Sequence, residues 1–161
     1  MLDAAFDQLS IFANLTTSQR ALLQSIFVRR ECKAEDVIFE QGDWAEYLFI
    51  VVEGEVVIRF KPEDGPALNV AHIRAGGVFG WSAAFGGDLY TSGASCVKPS
   101  TLLRVRGADL KKLRQEHPET GILILERLAA VVAERLRHTH KQVVALLEHG
   151  LTNGVKPIGG K

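Results

Sequence analysis

The chain has only two cysteines in 161 residues, Cys32 and Cys96. They are far apart, lack metal-ligand spacing, and are too few for the disulfide framework of a small secreted domain. They read as two reduced thiols among strands of a cytoplasmic protein. Net charge is also lacking, because 19 Lys and Arg balance 19 Asp and Glu. Such a surface exerts no long-range pull on nucleic acid or an anionic membrane. No apolar run approaches the ~20 residues of a membrane-spanning helix. The N-terminal MLDAAFDQLS carries acids where a signal peptide carries bases. No Ser-His-Asp order, paired carboxylate site or nucleotide-triphosphate loop is recognisable, so the reading is of a non-enzyme. His138 and His140 stand two apart on a predicted helix, on different sides of it, and cannot share a metal.

What is present is apolar material, 47% of residues, arranged with clear periodicity. Leu2, Phe6 and Leu9 fall on one helical face. Thr16 and Gln19 fit a capping box ahead of a second helix with Leu22, Leu23 and Ile26 on its buried side. From Phe27 to Val105 the texture changes to short runs: FVRREC, DVIFEQGD, YLFIVVEGEVVIRF, LNVAHI, SGASCV and STLLRV. Their spacing of roughly 8–12 residues suits an all-β sandwich or barrel. Gly42 and Gly54 are its turn residues, and KPEDGPAL, 61–68, is a polar hairpin loop.

Beyond Val105 the pattern is helical again. Asp109 is placed to cap LKKLRQEH, which Pro118 ends. Residues 119–149 form one long helix. On it Leu125, Ala129, Val132, Leu136, Thr139, Val143 and Leu146 alternate four and three apart, a heptad seam over three repeats. The seam predicts a parallel two-helix homodimer with Leu125, Val132, Leu136 and Val143 at its interface. Packing against the chain's own β domain is the alternative. Thr139 is its polar exception, tolerated at a core edge or aimed at something between the helices. The tail, 150–161, reads as flexible. RVRGADLKKLR, 104–114, is the one basic cluster, and a solvated helix face accounts for it.

The motif with chemical content is GGVFGWSAAFGG, 76–87. A glycine-framed turn runs into small helix-forming residues. The N–H groups of Ser82, Ala83 and Ala84 are thereby expected to be available to an anion. Trp81 and Tyr90 offer flat surfaces, and Thr91 and Ser92 offer hydroxyls.

The helical start LSIFANLTTSQRALL, the run VIFEQGDWAEYLFIVVEGEVVI, the Gly-bounded turn and the long final helix together resemble the cyclic-nucleotide-binding domain over residues 10–147. The family includes the sensor half of catabolite activator protein. The resemblance implies an α+β fold: a β jelly-roll barrel of about eight strands over 27–105, N-terminal helices over 1–26, and C-terminal helices over 108–149. It makes 1–149 one domain. It also identifies GGVFGWSAAFGGDLYTSGASCV as the phosphate-binding cassette. There the family carries Gly-Glu, the Glu taking a ribose hydroxyl, and about ten residues later Arg-Ser/Thr-Ala, the Arg taking the cyclic phosphate. Here Gly80 matches, but Trp81 stands in the place of the Glu and Tyr90-Thr91-Ser92 in that of Arg-Thr-Ala. The variant GWS resembles a group of small bacterial stand-alone domains of this superfamily.

The implied function is ligand sensing with a non-standard pocket formed by Gly80, Trp81, Ser82, Ala83, Tyr90, Thr91, Ser92 and Thr139. Its ligand would be nucleotide-like or another small anion, and its output would go to an unidentified effector protein. The alternatives are a dimerisation or docking module plugged by Trp81, and a haem or redox sensor using Cys96 with His72 nearby. No DNA-binding domain of the helix-turn-helix kind is recognisable after the long helix.

Overall fold

The β-branched and aromatic runs between residues 27 and 106 form eight strands, with helices before and after them. The computed structural model describes residues 2–152. It begins with α1 (Leu2–Gln8), a 3-10 turn (Ser10–Phe12) and α2 (Thr17–Ile26). The predicted capping box forms. The Gln19 N–H donates to the Thr16 hydroxyl at 3.1 Å, and the Thr16 N–H to the Gln19 side-chain carbonyl at 3.0 Å.

The strands are β1 (Phe27–Cys32), β2 (Val37–Phe39), β3 (Tyr47–Glu53), β4 (Glu55–Phe60), β5 (Leu68–Arg74), β6 (Val78–Phe79), β7 (Gly93–Cys96) and β8 (Ser100–Arg106). They make two antiparallel four-stranded sheets, β1-β8-β3-β6 and β2-β7-β4-β5. The fold is therefore α+β and jelly-roll-like, but the strands stack as two sheets and do not close into a barrel. Strand β6 is hidden from sequence inspection because it is two residues long, inside GGVFG.

Strand alternation decides what each face does. Phe49, Val51 and Leu102 of the first sheet meet Val56, Ile58, Ile73, Ala94 and Cys96 of the second in the core between the sheets. The other face of the first sheet buries Leu48, Ile50, Leu103 and Val105 on the helical side. There Phe6 stacks on Phe12 with centroids 3.9 Å apart, and both stand edge-on to Phe27. Arg127 donates to the carbonyls of Ile11 and Ala13 at 2.9 and 2.7 Å.

Helix α3 (Gly107–Glu116) starts two residues before Asp109, which lies in its first turn and does not cap it. Pro118 opens α4 (Pro118–Thr152), since a missing N–H costs nothing at the first helical position. The chain divides into two compact units, 1–128 and 129–161. In the second, α4 runs through Gly150 to Thr152, so the predicted tail is helical at its start. The remainder of that tail, 153–161, lies outside the described residues, as do the side chains of Thr139 and Val143.

The predicted seam is only partly a free surface. Val132 is 6% exposed in the single chain and Leu136 is 54% exposed. Burial falls instead on Ile124, Leu128 and Val132, four residues apart, a 3.6-type stripe displaced by one position from the predicted heptad. Leu125 is half-buried, while Ala129, Leu146 and Leu147 are exposed.

Candidate functional site

The cassette forms the link between β6 and β7. Gly80 takes a left-handed conformation, φ 72°, and caps a 3-10 turn over Trp81–Ala83. A side chain at Gly80 would press on the Tyr47 carbonyl at 2.9 Å and on Phe49 and Phe39, so glycine is needed there for both space and φ. The turn consumes its own donors. Ala83 N–H bonds the Gly80 carbonyl at 3.2 Å, and Ala84 and Phe85 N–H both bond the Trp81 carbonyl at 3.0 Å. The expectation that Ser82, Ala83 and Ala84 all present N–H groups is therefore corrected: 3-10 bonding engages two of the three. Gly87 N–H closes back on the Ser82 carbonyl at 2.8 Å.

Tyr90 does not line an open pocket. It is 6% exposed and lies in the intersheet core. Its ring stacks on Phe39 at 3.6 Å and 12°. Its hydroxyl donates to the Tyr47 carbonyl at 2.5 Å and accepts from the Tyr47 N–H at 3.0 Å. Burial pushes this phenol above its ordinary pKa, opposed by the Tyr47 N–H that donates to its oxygen. Tyr90 is thus a packed, neutral, hydrogen-bonded strut. Trp81 and Ser82 are half-buried, Ala83 likewise, Thr91 is exposed and Ser92 half-buried. Trp81 is not part of the intersheet core cluster.

Strand register sets the Cys96 and His72 side chains on opposite faces of the second sheet. Val56 pairs with both Ile73 and Cys96, and Val57 with both His72 and Ser95. Cys96 thus faces the core while His72 faces outward, where its Nδ1 meets Glu55 Oε2 at 2.7 Å. Burial and the neighbouring Cys32 thiol push the Cys96 thiol up to about 12, which leaves it protonated and unreactive at neutral pH.

Sequence inspection misses the inner end of β8. Leu102 faces the core, so Arg104, two residues on, faces the same way, and Arg106 follows. The basic run expected to be a solvated helix face therefore begins on a strand. Arg104 lies 4.5 Å above the Tyr47 ring and Arg106 5.6 Å from it. Arg104 Nε is buried and has no hydrogen-bond partner, a state that costs about 1–3 kcal/mol. The place adjoins the cassette. Gly107 N–H bonds the Glu46 carbonyl at 3.0 Å, and a side chain at Gly107 would collide with the Ala83 carbonyl. The signal available in the sequence is an arginine at a position where STLLRVR alternation calls for a core residue.

Two antiparallel sheets, a Gly-capped 3-10 turn between β6 and β7 and a long final helix are the architecture of a cyclic-nucleotide-binding-like regulatory domain. The chain belongs to the cyclic nucleotide-binding domain family, whose model matches residues 29–117. It is 30% identical over 116 residues to the cAMP-activated global transcriptional regulator CRP of Haemophilus influenzae, covering 70% of this chain and 49% of that protein. It is 29% identical over 113 residues to the CRP of Escherichia coli O157:H7, covering 68% of this chain and 51% of that protein. The chain spans about half the length of these curated relatives. Among solved structures it resembles the catabolite activator protein of Thermus thermophilus, with a TM-score of 0.66, 26% identity, and coverage of 91% of this chain and 73% of that one. The fold also matches a cyclic nucleotide-binding domain from Methylobacillus flagellatus, with a TM-score of 0.76, 18% identity, and coverage of 88% of this chain and 80% of that one.

Proposed function

We propose that this chain is a ligand-sensing regulatory domain of the cytoplasm with a reworked pocket, which works as a homodimer and signals through α4 to a partner protein. One observation carries the reading. The Gly80 turn is kept and packed against β3, while Trp81 remains half-buried at its start and outside the core cluster. A turn retained only as scaffolding has no need of a large, half-buried indole at its start. The rival reading, a ligand-free dimerisation or docking module, draws support from Tyr90, which fills core space where the family's arginine would reach for phosphate. A native mass spectrum of the purified protein separates the two. The sensing reading expects a retained or titratable small molecule, and the module reading expects bare protein throughout.

The mechanism is a population shift in which ligand favours one position of the cassette turn over another. The Ala83 carbonyl abuts Gly107, the first residue of α3, so movement of the turn reaches the helices. Gly107→Ala wedges a methyl group against that carbonyl. It is expected to lower stability by about 1–3 kcal/mol, the usual cost of overpacking, read as a lower urea midpoint at unchanged slope.

Dimerisation rests on the exposed apolar residues of α4. Because Val132 is already buried in the single chain, Leu136 is the better probe. Leu136→Glu places a charge where the partner helix would bury it, at high cost. Sedimentation is expected to show a wild-type dimer and a Leu136→Glu monomer at tens of micromolar. A wild-type monomer would exclude the dimer.

A further inference from the structure

Three arginines share the inward face of the first sheet at one end. Register sets Arg30 beside Leu102, Arg104 beside Phe49, and Arg106 beside Tyr47. Leu102 and Phe49 belong to the intersheet core, so their neighbours on this face point the same way. The opposing sheet does not cover this end, for Val28, which pairs with Arg104, is 52% exposed although it too faces inward. Glu46 lies 3.7 Å from Arg106 and is itself well exposed. Among the described residues the side chains of Arg104 and Arg30 make no hydrogen bond or ion pair.

An arginine on a core-facing position with its Nε buried and unpartnered is a poor choice for stability alone. An apolar residue there would pack without leaving a donor unsatisfied. Held over the Tyr47 ring, the guanidinium is fixed in direction, and its partly exposed end is left for an acceptor. The Tyr47 hydroxyl beside Arg106 raises the pKa of that guanidinium.

We propose that Arg104, flanked by Arg30 and Arg106, is the anchor for the phosphate of a small phosphomonoester or diphosphate bound beside the cassette turn. The inference rests on the sensing reading and names the ligand class for that site. Arg106 is offset by the carboxylates of Glu46 and Asp109, while Arg104 and Arg30 have no ion pair among the described residues and are left for a ligand. A terminal phosphate or diphosphate brings up to two negative charges to these two cations, whereas a cyclic phosphodiester brings one. The planar fork of arginine suits two phosphate oxygens at once. The phosphate anchor moves from the cassette, where Tyr90 has closed the place, to β8 on the adjoining sheet.

The test uses inorganic pyrophosphate as the probe, titrated calorimetrically into wild type, Arg104→Gln and Arg59→Gln. Arg59 lines a separate cleft of about 520 Å3 with Val57, His72 and Ser95, on the outer side of the second sheet. Wild type is expected to bind, Arg104→Gln to bind about 10- to 100-fold more weakly, and Arg59→Gln to match wild type. The ligand-free melting temperature of Arg104→Gln is expected to equal or exceed that of wild type, because an unsatisfied buried donor has been removed. Arg104→Lys, which keeps a charge but loses the fork, is expected to fall between the two in affinity. Equal binding by wild type and Arg104→Gln overturns the assignment, as does a marked drop in melting temperature, which would make Arg104 structural. If pyrophosphate fails to bind but a native mass spectrum still shows a retained small molecule, the assignment falls and the sensing reading stands. If neither is seen, both fall.

Discussion

Tyr90→Ala is expected to lose about 3–5 kcal/mol of folding stability, the range for removing a large buried aromatic side chain. The ring is stacked on Phe39 at 3.6 Å within the intersheet core, and its hydroxyl satisfies both backbone groups of Tyr47. Truncation leaves a cavity and also strips partners from the Tyr47 N–H and carbonyl. Tyr90→Phe keeps the ring and removes only those two bonds, so it is expected to cost about 1–3 kcal/mol. Trp81→Ala, at a half-buried position outside the core cluster, is expected to cost less than about 1.5 kcal/mol. Urea midpoints at constant slope give the ordering directly. If Trp81→Ala proved the most damaging of the three, the indole and not the phenol would be the plug. The sensing reading would then lose its main support.

From the sequence both rings are expected to line the pocket, whereas Tyr90 lies in the core, and the reason is physical. The resemblance sets both aromatics where the family carries charge, and composition cannot tell which ring turns inward. That is decided by the pairing of residues 88–90 with the 42–45 loop. Tyr90 N–H bonds the Asp43 carbonyl at 2.8 Å, and Ala45 N–H bonds the Asp88 carbonyl at 2.9 Å. The bonded residues are far apart in the chain, and no local pattern encodes their pairing.

Local patterns do encode much of the fold. The Thr16–Gln19 capping box, the positive φ at Gly42 and Gly54 and the six strand-like runs all follow from spacing and turn chemistry, and all are present. Strand β6, only two residues long, and the displaced stripe on α4 do not show in the sequence. A two-residue strand has no period, and heptad and 3.6-residue stripes diverge by only ~20° per repeat. Arg104 is legible in principle, as a charge in phase with Leu102 on β8. It escapes notice because it opens a basic run that continues onto α3, where Lys111, Lys112 and Arg114 do lie on a helix.

At the centre of the proposal, the family fold is retained while the cyclic-phosphate and ribose anchors are absent from the cassette. On the proposed reading Trp81 and Tyr90 occupy those places, and Tyr90 is committed to the core. Each missing charge-assisted hydrogen bond is worth about 1.5–3 kcal/mol. Two such absences weaken binding by roughly two to four powers of ten. The direct measurement is a calorimetric titration of the wild-type protein with cyclic AMP and with cyclic GMP. The expected result is a Kd weaker than about 100 μM for both, the affinity left to stacking and backbone hydrogen bonds. Low-micromolar binding of either nucleotide would contradict the proposal and would mean that the cassette carries its anchors somewhere other than at Trp81 and Tyr90.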